Sequence, residues 1–159
     1  MSANIKYQWD LAQKHLDVPD LSLTAGELGR LNLSLAFGEI TPGLPAAMRA
    51  ELSHATLHYS DNSLVDRMMK ANAARAGTAP AAYRQQLVDS IAARAAAFAD
   101  DATLQALAKE VIAFLNAPQS LSVEVAPPKP VPMLTLLRAA TMPAPTVAAM
   151  LGLSAAANR

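Results

Sequence analysis

Residues 51–77 read ELSHATLHYSDNSLVDRMMKANAARAG, and the chain changes character within them. Ala55, Leu57 and Tyr59 fall on one side of an extended segment, and His54, Thr56, His58 and Ser60 on the other. That period of two is what a half-buried strand requires. Asp61-Asn62-Ser63 interrupts it. Ser63 followed by Asp66 has the spacing of a capping box, with Asp standing where Glu or Gln is commoner. An acidic residue in the first turn also suits the positive end of a helix dipole. Leu64, Val65, Met68, Met69 and Asn72 then recur at helical spacing. Gly77 is expected to close that helix, because glycine enters the left-handed region without steric cost.

Upstream of this switch the sequence alternates like a sheet. Ile5, Tyr7, Trp9 and Leu11 alternate with Lys6, Gln8, Asp10 and Ala12 in a first strand. Leu16 and Val18 are followed by Leu21 and Leu23, and the parity changes across Pro19. A bulge or an edge position is therefore expected there, since Pro cannot donate to a ladder. Gly26 to Gly29 allow a turn, and Leu31, Leu33, Leu35 and Phe37 alternate in a third strand. Gly38 to Pro45 reads as a loop, and Pro45 to Arg49 as a short turn.

Downstream the pattern is mainly helical. Thr78 is the expected N-cap of a second helix, with Pro80 in its first turn and a buried stripe of Tyr83, Leu87, Ile91 and Phe98. Asp100-Asp101 ends that helix and caps a third, where Leu104, Leu107, Ala108, Val111, Phe114 and Leu115 give the best helical periodicity in the chain. Pro118 stops it. Leu121, Val123 and Val125 predict a fifth strand, and Pro127 to Pro132 an extended linker. Short helices over 133–140 and 145–151 and a last strand over 153–157 complete the chain. The expected fold is α+β: an antiparallel meander of about four to six strands, one face apolar, under a layer of three or more helices.

Composition narrows the function classes. The chain has 159 residues, a length that suits a single domain over 1–159. Charged residues make up only 16% and hydrophobic residues 52%, so an extensive core or an apolar surface is expected. Thirteen basic residues balance thirteen acidic ones without long runs, unlike the clustered Lys and Arg of a nucleic-acid footprint. The absence of Cys excludes disulfides, thiolate zinc sites and a cysteine nucleophile. No apolar run reaches the ~18 residues of a membrane span, and MSANIKYQWD lacks the apolar core of a signal peptide. As given, the chain would stay in the cytosol. Yet a strand pattern starts close to Met1 and an apolar stretch lies near Arg159, so both ends have the look of cuts within something longer.

The chemistry-bearing residues form no strong motif. His54 and His58 share a strand face, where two imidazoles could contribute to a metal site; exposed strand histidines are the favoured reading, and His15 is isolated. Ser53, His54 and Asp61 supply a Ser-His-Asp set on paper, without a nucleophile-elbow sequence around it. Asp100 and Asp101 read as a helix cap, Asp17 and Asp20 as turn residues flanking Pro19, and Gly26 and Gly29 lie between strands instead of before a helix. Pro127-Pro128-Lys129-Pro130 has a minimal PxxP spacing that could dock on an SH3-like groove, and a stiff connector is the favoured reading. Met48, Met68, Met69, Met133, Met142 and Met150 either fill a core or line a greasy groove.

The run WDLAQKHLDVPDLSLTAGELGRLNLSLAF, residues 9–37, resembles the long leucine-alternating strands of AsmA-like bacterial envelope proteins. YSDNSLVDRMMKANAARAG and SVEVAPPKPVP resemble stretches of uncharacterised proteobacterial proteins. The resemblance implies a periplasmic or membrane-tethered protein that handles lipid or envelope assembly, and it supplies no catalytic residues.

These observations lead to an expectation of a non-enzymatic binding module without cofactor or metal. It would contact an apolar ligand, a lipid or a protein partner through Trp9, Phe37, Met68 and Met69. A self-associating scaffold, joined through exposed edge strands, is the second expectation. A hydrolase built on the His54/His58 region is the third.

Overall fold

The computed structural model describes residues 2–40 and 49–159. The loop expected from Gly38, the turn expected over 45–49 and Met48 fall wholly or mostly outside the described residues. Among the described residues, seven strands form one antiparallel sheet and five helices accompany it. The strands are β1 (Ser2–Asp10), β2 (His15–Thr24), β3 (Gly29–Gly38), β4 (Glu51–Asp61), β5 (Ser120–Val125), β6 (Val131–Pro132) and β7 (Leu153–Ala157). The helices are α1 (Leu64–Arg75), α2 (Pro80–Ala96), α3 (Ala102–Asn116), α4 (Met133–Ala139) and α5 (Ala144–Leu151). The strand order is β1-β2-β3-β4-β5-β7, with β6 pairing to β4. The α+β meander expected from the alternation is the fold.

Register explains how one face stays apolar. Residues directly opposite in an antiparallel pair point to the same side of the sheet. One such row runs Ile5, Leu21, Leu33, Leu57, Val123, Ala155; another runs Ala3, Leu23, Leu31, Tyr59, Leu121, Ala157. Trp9, Leu16, Phe37, Leu52 and Val131 make a third. Two bulges hold these rows together. The pairing of β2 with both neighbours shifts at Pro19-Asp20, which returns Leu21 and Leu23 to the side of Leu16 and Val18. The second bulge was not expected: the β3–β4 register shifts between Ala36 and Phe37, so Ser53 is the extra residue and Leu52 joins the face of Ala55. Ser53 Oγ donates to the Ala36 carbonyl at 3.0 Å.

The junction from β4 into α1 differs from the expected capping box. Ser63 occupies the N-cap position without capping through its side chain; its hydroxyl donates to the Glu27 carbonyl at 2.6 Å. Asp61 replaces it, its Oδ1 accepting from the Val65 amide at 3.0 Å. The Leu28 carbonyl, carried by the β2–β3 turn, accepts from the amides of Asn62, Ser63 and Leu64 at 3.1, 3.3 and 3.2 Å. Two of the helix's orphan donors, Ser63 and Leu64, thus share one oxygen with the preceding Asn62 amide. Asp66 instead meets Arg84 of α2 at 2.6 Å. At the other end, Gly77 has φ 65°, and Thr78 and Gly77 donate back to Ala73 and Ala74, a Schellman closure as expected.

Thr78 does not cap α2. Ala79 is the N-cap and Pro80 opens the helix, while the Thr78 amide closes α1 by donating to Ala73. Asp101 does cap α3, its Oδ1 accepting from the Leu104 amide at 3.0 Å. The main core lies between α1, α3 and the far end of the sheet. Val65, Met69, Phe114 and Ala157 are buried together, with Tyr59, Tyr83, Leu87, Leu115 and Leu121 around them. Phe114 meets the Tyr59 ring edge-on, with centroids 6.0 Å apart. Phe98, expected in the α2 stripe, falls past the helix end and is exposed.

Candidate functional site

The helical layer stops short of the sheet's first half. α3 packs along β5 and β7, while α1 and α2 stack beside it. No helix of the described residues packs along β1, β2 or β3. The leucine rows continue there regardless, since the alternation that builds them is a property of the strands. β2 and β3 keep Leu16, Val18, Leu21, Leu23, Leu31, Leu33, Leu35 and Phe37 half-buried against each other. On β1 the same face ends in Ile5, Tyr7 and Trp9, which are 59, 69 and 43% exposed. The result is an apolar platform with an aromatic margin and no charged side chain in its rows.

Of the four expected contact residues, the structure brings two together. Trp9 and Phe37 stand in one cross-strand row with Leu16 between them. Met69 is buried in the core beneath α1, while Met68 is 51% exposed on α1. Adjacent positions on a helix lie about 100° apart, which sends the two methionines to different sides. The remaining platform residues, Ile5 and Tyr7 above all, follow from the same alternation, but their exposure depends on where the helices pack.

The opposite face is polar. His58 Nδ1 lies 2.7 Å from Ser122 Oγ, and Ser60 Oγ is 3.2 Å from His58 Nε2. His54 Nε2 lies 3.0 Å from Thr56 Oγ1. Ser53, His54 and Asp61 do not converge: Ser53 bonds the Ala36 carbonyl, and Asp61 accepts from the Tyr59 hydroxyl at 2.7 Å and from the Val65 amide. Among the described residues no three His, Cys, Asp or Glu side chains gather closely enough to hold a metal ion. An open polar groove of about 530 Å³ lies on this side over β1–β3, lined by Asn4, Asp20, Ser22, Thr24, Arg30 and Asn32 among others. Arg30 Nε donates to Thr24 Oγ1 at 3.2 Å, and Asp20 accepts from Asn4 and faces Lys6.

Among the described residues Tyr59 is the one strongly perturbed group. Burial in the core edge pushes its pKa far above the usual tyrosine range, and the hydrogen bond to Asp61 and that carboxylate's charge push it further. The phenol is a structural donor that ties the sheet to the start of α1.

The Pro-rich segment is a connector that ends in a strand. Val131 and Pro132 pair with Leu52 and Glu51, and Val131 is buried. Pro128, Pro130, Thr135 and Met150 line a shallow apolar groove of about 310 Å³ beside it. No helix of the described residues is long and apolar enough to cross a membrane.

Comparison with curated proteins and with solved structures finds no match. A family model described as "Uncharacterized protein" does match, over residues 22–158. That match corrects the likeness to AsmA-like envelope proteins. The likeness was carried by residues 9–37, whose leucine alternation is shared by any strand with one buried face, and the family match takes in only part of that run. By that match over most of its length, the chain belongs to this family of uncharacterised proteins.

Proposed function

We propose that the chain is a non-enzymatic binding module whose open leucine platform takes an apolar ligand of the acyl-chain class. One observation carries the reading: the apolar face spans the sheet, but among the described residues the helices pack along its β5–β7 side. The chemistry of the platform favours a hydrocarbon chain over an extended peptide. A peptide laid on this face would bring backbone N–H and C=O groups that need partners, and the rows offer Leu, Ile, Val and aromatic rings. A hydrocarbon needs only apolar area. The histidines and Asp61 are already engaged in local hydrogen bonds, which suits a role without turnover.

Trp9 is the only tryptophan and stands at the platform margin, so its emission is a direct reporter. Titration with a medium-chain fatty acid is expected to give a saturable blue shift, with lipid retained in native mass spectrometry. A flat titration with no co-purified lipid rejects the reading. The double variant His54→Ala, His58→Ala is expected to leave the titration unchanged, since both rings lie on the opposite face.

A further inference from the structure

The two edges of the sheet are treated differently. β7 is five residues long and lies under α3. The Ala157 amide is taken by Glu110 Oε2 at 2.7 Å, and Arg159 holds that carboxylate at 3.6 Å. This edge is short, covered and capped. β1 is nine residues long and exposed at every position, and among the described residues it pairs only with β2. It contains no Pro, and the bulge beside it is carried by β2. A long, regular edge with an apolar side is a template for another strand.

We propose that β1 is a dimerisation strand, pairing antiparallel with β1 of a second copy about a two-fold axis at Tyr7. A two-fold pairing sets one residue against its own copy and fixes all other pairs. An axis at Lys6 would oppose two ammonium groups, which is unfavourable. An axis at Gln8 would use only the last part of the strand, Lys6 to Asp10. An axis at Tyr7 sets Tyr7 against the partner's Tyr7, Ile5 against the partner's Trp9, and Lys6 against the partner's Gln8. It also places Lys6 diagonally between the partner's Asp10 and the partner's Lys6, so each ammonium gains a carboxylate neighbour that offsets the diagonal like charge. Aromatic and β-branched cross-strand pairs of this kind favour pairing. The two platforms then join into one apolar face through a continuous sheet. A single strand pair buries less than a standard interface, so the dimer is expected to depend on concentration.

The chain has no Cys, so a single introduced Cys can form only an intermolecular disulfide. Opposed residues in an antiparallel pair have Cα atoms about 4.5–5.5 Å apart, within disulfide range. Sedimentation velocity on the 159-residue chain is expected to show a doubled mass at high concentration. Under mild oxidation Tyr7→Cys is expected to cross-link about tenfold faster than Leu137→Cys, an exposed control on α4, and faster than Lys6→Cys or Gln8→Cys, as a disulfide requires close Cα atoms. Tyr7→Lys, at an exposed position, is expected to return the chain to monomer with its fold retained by circular dichroism. A monomer at every accessible concentration overturns the proposal, and so does Lys6→Cys or Gln8→Cys cross-linking fastest. The acyl-chain reading is independent: a dimer that binds no lipid keeps this inference, and a lipid-binding monomer ends it.

Discussion

Ala3 and Ala157 stand at opposite ends of one cross-strand row. Ala157 is 8% exposed beneath α3 and belongs to the core; Ala3 is exposed on an unpaired edge. Between them the row runs through Leu23, Leu31, Tyr59 and Leu121, and its surroundings change at Tyr59, where the helices begin. The two halves of the sheet therefore obey the same binary pattern and differ in their third dimension. Burial by a helical layer stabilises the β4–β7 half, whereas the β1–β3 half relies on strand pairing and on contacts between neighbouring side chains. A stripe of alternating leucines in a strand implies an apolar face and says nothing of what covers it.

Substitutions on either side of that divide are the way to break the contrast. Phe114→Ala opens a cavity in the roofed half and is expected to lower unfolding free energy by about 3–5 kcal/mol in a denaturant titration. A loss below about 1 kcal/mol there, the range of an exposed site, would mean the helices contribute little. Gly29→Ala acts at the seam. Gly29 has φ 151°, and a Cβ would run into the Ser60 carbonyl and the Tyr59 ring, so a loss of about 2–3 kcal/mol is expected.

The pH dependence sharpens the same seam. Because the folded chain holds the Tyr59 phenol protonated well above its ordinary value of 10.0, ionisation favours the unfolded state. The stabilisation is complete below about pH 10 and is lost as pH rises beyond it. Tyr59→Phe is expected to flatten that alkaline decline in melting experiments. Asp101→Ala removes the α3 cap and is expected to cost about 1 kcal/mol. Trp9→Ala, on the bare half, is expected to cost less than about 1 kcal/mol while abolishing the emission reporter.

Local chemistry made most of the elements legible. Alternation located β1, β3, β4 and β5, parity located the Pro19 bulge, and Asp101 and Gly77 marked helix ends by their own hydrogen bonding and backbone freedom. What stayed hidden depends on partners distant in sequence. The Ser53 bulge is needed only because β3 fixes where Leu52 must point. Val131-Pro132 looked like linker because its pairing partner lies some eighty residues earlier. Ser63 and Asp66 had the right spacing for a capping box, but Glu27 and Arg84 claimed their side chains. The exposure of Ile5 and Tyr7 follows from helix placement, which no residue within β1 encodes. The His pair and Ser60 were readable as a shared face, while the Ser122 neighbour depended on the register of β5.

The Leu28 carbonyl has a mechanical consequence. By gathering three amides from the start of α1, with the Tyr59 hydroxyl 3.4 Å away, it clasps the hairpin tip of the bare half to the first helix of the roof. Any load on β2 or β3, from a docked molecule or a neighbouring chain, reaches α1 through that clasp as well as through the strand ladder. Amide exchange at Asn62, Ser63 and Leu64 should therefore register events on a surface those residues never touch.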